Sequence, residues 1–237
     1  MKRFSFHLRD RLELFVATSW LFKALFKNNR SILFPRGITR KIIYYYDGSP
    51  YQVVDEKTGN LGYGLTHFGL LTALKPERVL CIGSRGGFIP AICALACQEN
   101  QKGLVDFVDA GYEENEKHSW GGMGLWRRID HRKFFSFLDV KDWLNMYVMT
   151  SQEFAKKYPY VYDYIYIDAD HSYRGVKKDY ELFWPRLNKG GLMVFHDITV
   201  KKEAGKRFGV WRVWKELASR RGISFSYPIS GLGIIQK

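Results

Sequence analysis

The chain has 237 residues, 46% of them hydrophobic and 16% aromatic, which excludes a disordered polymer and allows one large domain with an appended segment. Its 37 Lys and Arg against 24 Asp and Glu leave a formal charge of +13, which raises the odds of a polyanion, an anionic membrane surface or a phosphorylated substrate as partner, with an ordinary basic solvated surface as the plainer reading. Three cysteines, Cys81, Cys93 and Cys97, share one apolar stretch without zinc-site spacing, so buried free thiols in a reducing compartment are expected, not a disulfide scaffold.

No run of 18 or more uncharged apolar residues is present. Arg9, Asp10, Arg11 and Glu13 interrupt any signal-peptide core behind Met1-Lys2-Arg3, so a cytoplasmic protein is expected. Residues 12–26, LELFVATSWLFKALF, would form a helix apolar on nearly every face, with Glu13 and Lys23 its only charges. Such a helix must be covered. Packing on the domain or across a homodimer interface is the expectation. The alternative is a peripheral membrane contact helped by Lys2, Arg3, Arg9, Arg11, Lys23, Lys27 and Arg30. The run YYYDGSPY at 44–51 has turn chemistry at Asp47-Gly48-Ser49-Pro50 and predicts a strand or hairpin closing an N-terminal extension over 1–60.

From Leu61 to Lys237 short β-rich runs alternate with helical stretches, the pattern of βαβ units on a parallel sheet. Strands are predicted over 78–82, 104–109, 146–149, 162–168 and 192–196, and two more over 223–227 and 231–235. Helices are predicted over 64–74, 88–98, 133–137, 152–157, 176–187 and 210–218. The expected fold is α/β: a Rossmann-like, doubly wound, mostly parallel seven-stranded sheet with a helical N-terminal extension.

The strand ends carry the chemistry. Val79-Leu80-Cys81-Ile82-Gly83-Ser84-Arg85-Gly86-Gly87-Phe88 runs from an apolar strand through a glycine turn into a helix, where glycines allow positive φ and close approach of a ligand. Its spacing is not the dinucleotide G-x-G-x-x-G. Asp109, at the end of the next strand, could take both ribose hydroxyls of an adenosine ligand or cap the following turn. Ser151, in Thr150-Ser151-Gln152-Glu153-Phe154, reads as a helix N-cap. The segment Tyr164-Ile165-Tyr166-Ile167-Asp168-Ala169-Asp170-His171-Ser172-Tyr173 delivers acids and an imidazole to a strand end. Gly190-Gly191-Leu192-Met193-Val194-Phe195-His196-Asp197 delivers His-Asp to the same edge.

In this order, IGSRGGF, Asp109, TSQEF, IDADHSY and GGLMVFHD resemble the class I O-methyltransferases that use S-adenosylmethionine. They are similar to the metal-dependent catechol and caffeoyl-CoA branch, and more so to a bacterial group reading D-x-D-H-S-Y and G-G-x-x-x-x-H-D. The resemblance covers about residues 60–237. It implies that Gly83, Ser84 and Gly87 line the methionine end of S-adenosylmethionine, that Asp109 holds the ribose, and that Ser151 and Gln152 meet the adenine. It further implies that Asp168 and Asp197 bind a divalent metal (Mg, Mn or Fe), and that His171 stands where those enzymes place a base. His196 departs from that pattern, since it replaces an acidic ligand. It is read as a third metal ligand or as a group orienting Asp197.

Methyl transfer needs an oxygen nucleophile held against a sulfonium methyl. A cation bridged by Asp168 and Asp197 would lower the hydroxyl's pKa, and His171 is read either as the base that takes the proton or as a structural hydrogen-bonding residue of the loop. The expected partner is a small hydroxylated acceptor such as a sugar or polyketide-like metabolite. Nucleic acid is not expected, although the charge keeps an RNA methyltransferase as the rival reading, beside a cofactor-binding or hydroxylation-linked relative. Two further segments stay open between loop and function: residues 120–126 as an acceptor-side loop, and the basic stretch 201–207 as a lid.

Overall fold

The computed structural model describes residues 36–113, 116, 122–203, 206–218, 222–227 and 229–237; the apolar stretch at 12–26 lies outside them. Seven strands form the central sheet: β1 (Arg78–Ile82), β2 (Leu104–Asp109), β3 (Leu144–Val148), β4 (Tyr162–Ile167), β5 (Leu187–His196), β6 (Gly222–Ser226) and β7 (Gly231–Gln236). Their spatial order is β3-β2-β1-β4-β5-β7-β6. The first five run parallel, and β7 lies antiparallel to both β5 and β6. β1 and β4 are apolar and buried almost throughout, as a strand covered on both faces must be.

Among the described residues, seven helices connect and cover this sheet: α1 (Arg36–Tyr45), α2 (Tyr63–Leu74), α3 (Phe88–Asn100), α4 (His131–Phe135), α5 (Ser151–Lys157), α6 (Tyr173–Phe183) and α7 (Val210–Leu217). α3 buries every residue from Phe88 to Cys97, so Cys93 and Cys97 are core thiols, as is Cys81 on β1. α6 begins where the Ser172 side chain accepts the Gly175 N–H at 3.0 Å, three residues earlier than the sequence suggests. It ends at Phe183, before a 3-10 turn containing Pro185.

The expected strand or hairpin at 44–51 does not form. α1 runs through Tyr45, and a 3-10 turn covers Pro50–Gln52. Thr39, Ile42, Ile43 and Tyr46 are buried, a helical stripe that outweighs the strand propensity of the tyrosines. Tyr46 packs against Phe134 and Phe135, and Pro35–Lys237 form one compact unit. Residues 36–60, grouped with the extension on sequence, therefore pack within that unit. Among the described residues no helix is long and apolar enough to cross a membrane.

The strand order reverses between β1 and β4. In a doubly wound sheet that reversal opens a crevice at the carboxyl ends of the strands.

Candidate active site

A cavity of about 1490 Å³ occupies that crevice, lined by Ile82, Asp109, Met149, Asp168 and His196 from the carboxyl ends of the five parallel strands or just beyond them. At Gly83 the chain leaves β1 with φ +72°, and a Cβ there would collide with the carbonyl oxygen of Asp168. Glycine thus lets the β1 turn lie directly against the loop after β4. Gly83 and Ser84 line the cavity. Gly87 serves differently: it stands at the N-cap of α3 with φ +85°, and its Cα faces the Trp126 ring.

Asp109 lines the cavity, and its Oδ1 accepts the Gly111 N–H at 2.8 Å, so it closes the following turn while presenting a carboxylate to the crevice. Burial pushes its pKa up to about 6, against the backbone N–H groups of Gly111 and Ser84, which favour the charged form.

On the next strand end the helix cap is Thr150, which forms a reciprocal capping box with Glu153. Ser151, expected as the cap, is the first residue of α5. Its hydroxyl is released to donate to Asp179 Oδ1 at 2.5 Å. Asp179 is buried on α6, and burial pushes its pKa up to about 7 despite that hydroxyl. Ser151, Gln152 and Asp179 all line the cavity.

At the other pole the loop after β4 and the end of β5 converge. Asp168, His171 and Asp197 each offer a ligand atom, all within 4.8 Å of one another. His171 Nε2 lies 3.3 Å from Asp168 Oδ1 and 3.4 Å from Asp197 Oδ2. His196 Nδ1 lies 3.2 Å from Asp168 Oδ1 and 3.2 Å from Asp197 Oδ1. Asp197 itself is left-handed, with φ +59°, a conformation an aspartate tolerates better than most side chains and one that recurs at functional sites.

Burial opposes charge on all three of Asp168, His171 and His196, but their mutual attraction outweighs it. The two imidazoles hold the Asp168 carboxyl well below its usual range, and the carboxylates hold both imidazoles above theirs.

His196 Nε2 donates to the Tyr51 carbonyl at 3.0 Å, so Nδ1 is the atom left facing two carboxylates. His196 Nδ1 and Asp197 Oδ1 are buried without a hydrogen-bond partner among the described residues. Nδ1 must carry a second proton there, or its lone pair must meet a cation. Two carboxylates with imidazole nitrogens form a mixed donor set that fits Mn²⁺ or Fe²⁺ better than Ca²⁺.

Other wall residues carry no motif that marks them. Tyr51 and Gln52 come from the 3-10 turn, and Phe208 stacks on His171 at 4.7 Å with its ring tilted 16°. Of the segment 120–126, Trp126 is buried against Phe107 and Phe135, while Gly122 and Met123 line the cavity. In the basic stretch, Lys201 Nζ lies 5.6 Å from the centroid of the Trp211 ring.

Residues 80–198 match the family model of a methyltransferase domain. An uncharacterized protein of Sinorhizobium fredii, y4gI, is 26% identical over 190 residues; the match covers 76% of this chain but 19% of that relative. Three solved structures share the fold. The O-methyltransferase of Bacillus cereus in complex with SAH is 14% identical with a TM-score of 0.57, covering 90% of this chain and 97% of its own. TomG of Streptomyces achromogenes, an O-methyltransferase involved in tomaymycin synthesis and bound to SAM, is 14% identical with a TM-score of 0.56, covering 90% and 95%. Cofactor-bound Rv0187 from MTB is 16% identical with a TM-score of 0.60, covering 91% and 95%.

Proposed function

The chain belongs to the methyltransferase-domain family, and from that premise we propose that it transfers the methyl group of S-adenosylmethionine to a hydroxyl oxygen of a small metabolite, of sugar or polyketide-like type, with a divalent cation at the acidic pole. One observation carries this reading: a single cavity joins an adenosine-type pole at Asp109 and Ser151 to the cluster of Asp168, His171, His196 and Asp197.

The first pole has the chemistry of a nucleoside site. A half-buried carboxylate with a pKa of about 6 gains from hydroxyl donors, and the ribose diol supplies two. Ser151 and Gln152 lie where an adenine edge would meet them, and the Gly83–Ser84 turn takes the methionine end. The solved relatives carrying SAM or SAH in the same fold support this assignment.

At the second pole Asp168 and Asp197 would hold the cation, with His196 Nδ1 as the further donor. Bound there, a divalent ion supplies a Lewis acid that lowers the pKa of the acceptor hydroxyl. His171 Nε2 is placed to take the acceptor proton, and it does so only in its neutral form. The carboxylates beside it raise its pKa, so the base form gains as pH rises. Phe208, itself buried, covers one face of that ring and keeps water from it.

Calorimetric titration with S-adenosylhomocysteine, followed by mass analysis of a panel of hydroxylated sugars and phenols incubated with S-adenosylmethionine, tests the proposal. Tight binding and a methylated product are expected. Absence of binding by the folded protein would overturn it.

A further inference from the structure

The 3-10 turn Pro50–Gln52 and Tyr166 of β4 reach the acidic pole, and neither carries a cofactor or metal role in the sequence motifs. Tyr166 donates its hydroxyl to Asp168 Oδ2 at 2.8 Å. Gln52 Nε2 donates to Tyr166 Oη at 3.1 Å and lies 3.4 Å from the same Asp168 oxygen. The direction of this chain is fixed by chemistry. The Tyr166 hydroxyl spends its proton on Asp168 Oδ2, so towards Gln52 its oxygen can only accept, and the Gln52 amide must turn its nitrogen inward. Gln52 Oε1 is then buried without a hydrogen-bond partner among the described residues, while two donors are aimed at one oxygen.

The two oxygens of Asp168 are thereby given different tasks. Oδ2 is tied to neutral donors, while Oδ1 faces His171 and His196 at 3.3 and 3.2 Å. The same turn fixes the other side of the cluster, because the Tyr51 carbonyl accepts from both His196 Nε2 and the Ser230 hydroxyl.

We infer that Tyr166 and Gln52 are positioning residues that lock the Asp168 carboxylate for divalent-cation binding. The inference rests on the cation reading of this pole. A ligand carboxylate free to rotate about its side chain loses the geometry on which affinity depends, and removing such outer partners weakens metal sites by about 10–100-fold.

The test is Mn²⁺ titration of the full chain, followed by electron paramagnetic resonance, in Tyr166→Phe and in Gln52→Met. Phe keeps the edge contact of residue 166 with the His67 ring, at 4.7 Å between centroids, and Met keeps the length of residue 52. Both variants should bind Mn²⁺ about 10–100-fold more weakly while holding S-adenosylhomocysteine as the wild type does, which a general loss of structure would not produce. Unchanged Mn²⁺ affinity in both variants would overturn the positioning role and leave the cation site standing. Wild-type protein that binds no Mn²⁺ would remove the site, and this inference with it.

Discussion

Two buried charge clusters sit on the same sheet and are built on opposite rules. Toward the amino-terminal ends of the strands, Asp106 on β2 is fully buried and paired with Arg78 of β1 at 2.6 Å. Tyr162 donates to it at 3.3 Å, and the Arg78 guanidinium lies 3.5 Å from the centroid of the Tyr160 ring. One acid meets one permanent cation, and no Asp106 atom is among the buried side-chain atoms without a partner. At the carboxyl ends, Asp168 and Asp197 share two imidazoles, and His196 Nδ1 and Asp197 Oδ1 have no hydrogen-bond partner among the described residues. The first cluster closes on itself and holds the sheet together. The second leaves acceptors facing a cavity, the arrangement of a site that expects a further group.

Substitutions at the two clusters should therefore fail in different ways. Asp168→Asn should lower turnover by about 100-fold or more, the scale of lost proton-transfer and charge-stabilising groups, while binding of S-adenosylhomocysteine persists. Product mass and calorimetry on the same preparation read both. Asp106→Asn should instead cost about 2–4 kcal/mol of stability in a denaturant titration. That figure lies toward the lower end for breaking a buried pair, because the Arg78 side chain is 25% exposed and keeps some water. Turnover per folded molecule should be retained. If both variants lose only stability, the contrast collapses.

Smaller effects sharpen the cofactor pole. Asp109→Ala should weaken S-adenosylmethionine binding by about 1.5–3 kcal/mol, the scale of hydrogen bonds to a charged group. Acid should mimic that variant. The folded-state pKa of Asp109 is raised to about 6, so its charged form dominates above that pH and is lost as pH falls through it. Between pH 7.5 and pH 5 affinity should drop by about 10-fold in the wild type, and this component should be missing from Asp109→Ala. An identical profile in both would place the titrating group elsewhere.

Much of this molecule is legible in its sequence, for a reason visible at β4. An apolar run that ends in Asp-Ala-Asp-His announces both a buried strand and the polar edge beyond it, and the same logic finds Gly83, Asp109 and the His196–Asp197 pair. What escapes reading is contact across long separations and competition between neighbours. Gln52 reaches Asp168 across 116 positions, and His196 reaches Tyr51 across 145; no periodicity encodes either. Thr150 and Ser151 are both good caps, and Thr150 takes the role because Glu153 stands three residues on and completes a capping box with it. Asp179 gives no local signal, since it matters only once α5 brings Ser151 against it. The tyrosines at 44–46 mislead because strand propensity is weaker than the buried stripe that makes α1 a helix.

The most direct test of the two-pole account is a crystal structure of the protein with S-adenosylhomocysteine and Mn²⁺, with anomalous data collected to locate the metal. The account predicts the ribose hydroxyls on Asp109 and an anomalous peak between Asp168 and Asp197, in contact with His196. Ribose bound away from Asp109, or a cluster empty of metal with a water-filled gap between the carboxylates, would contradict it.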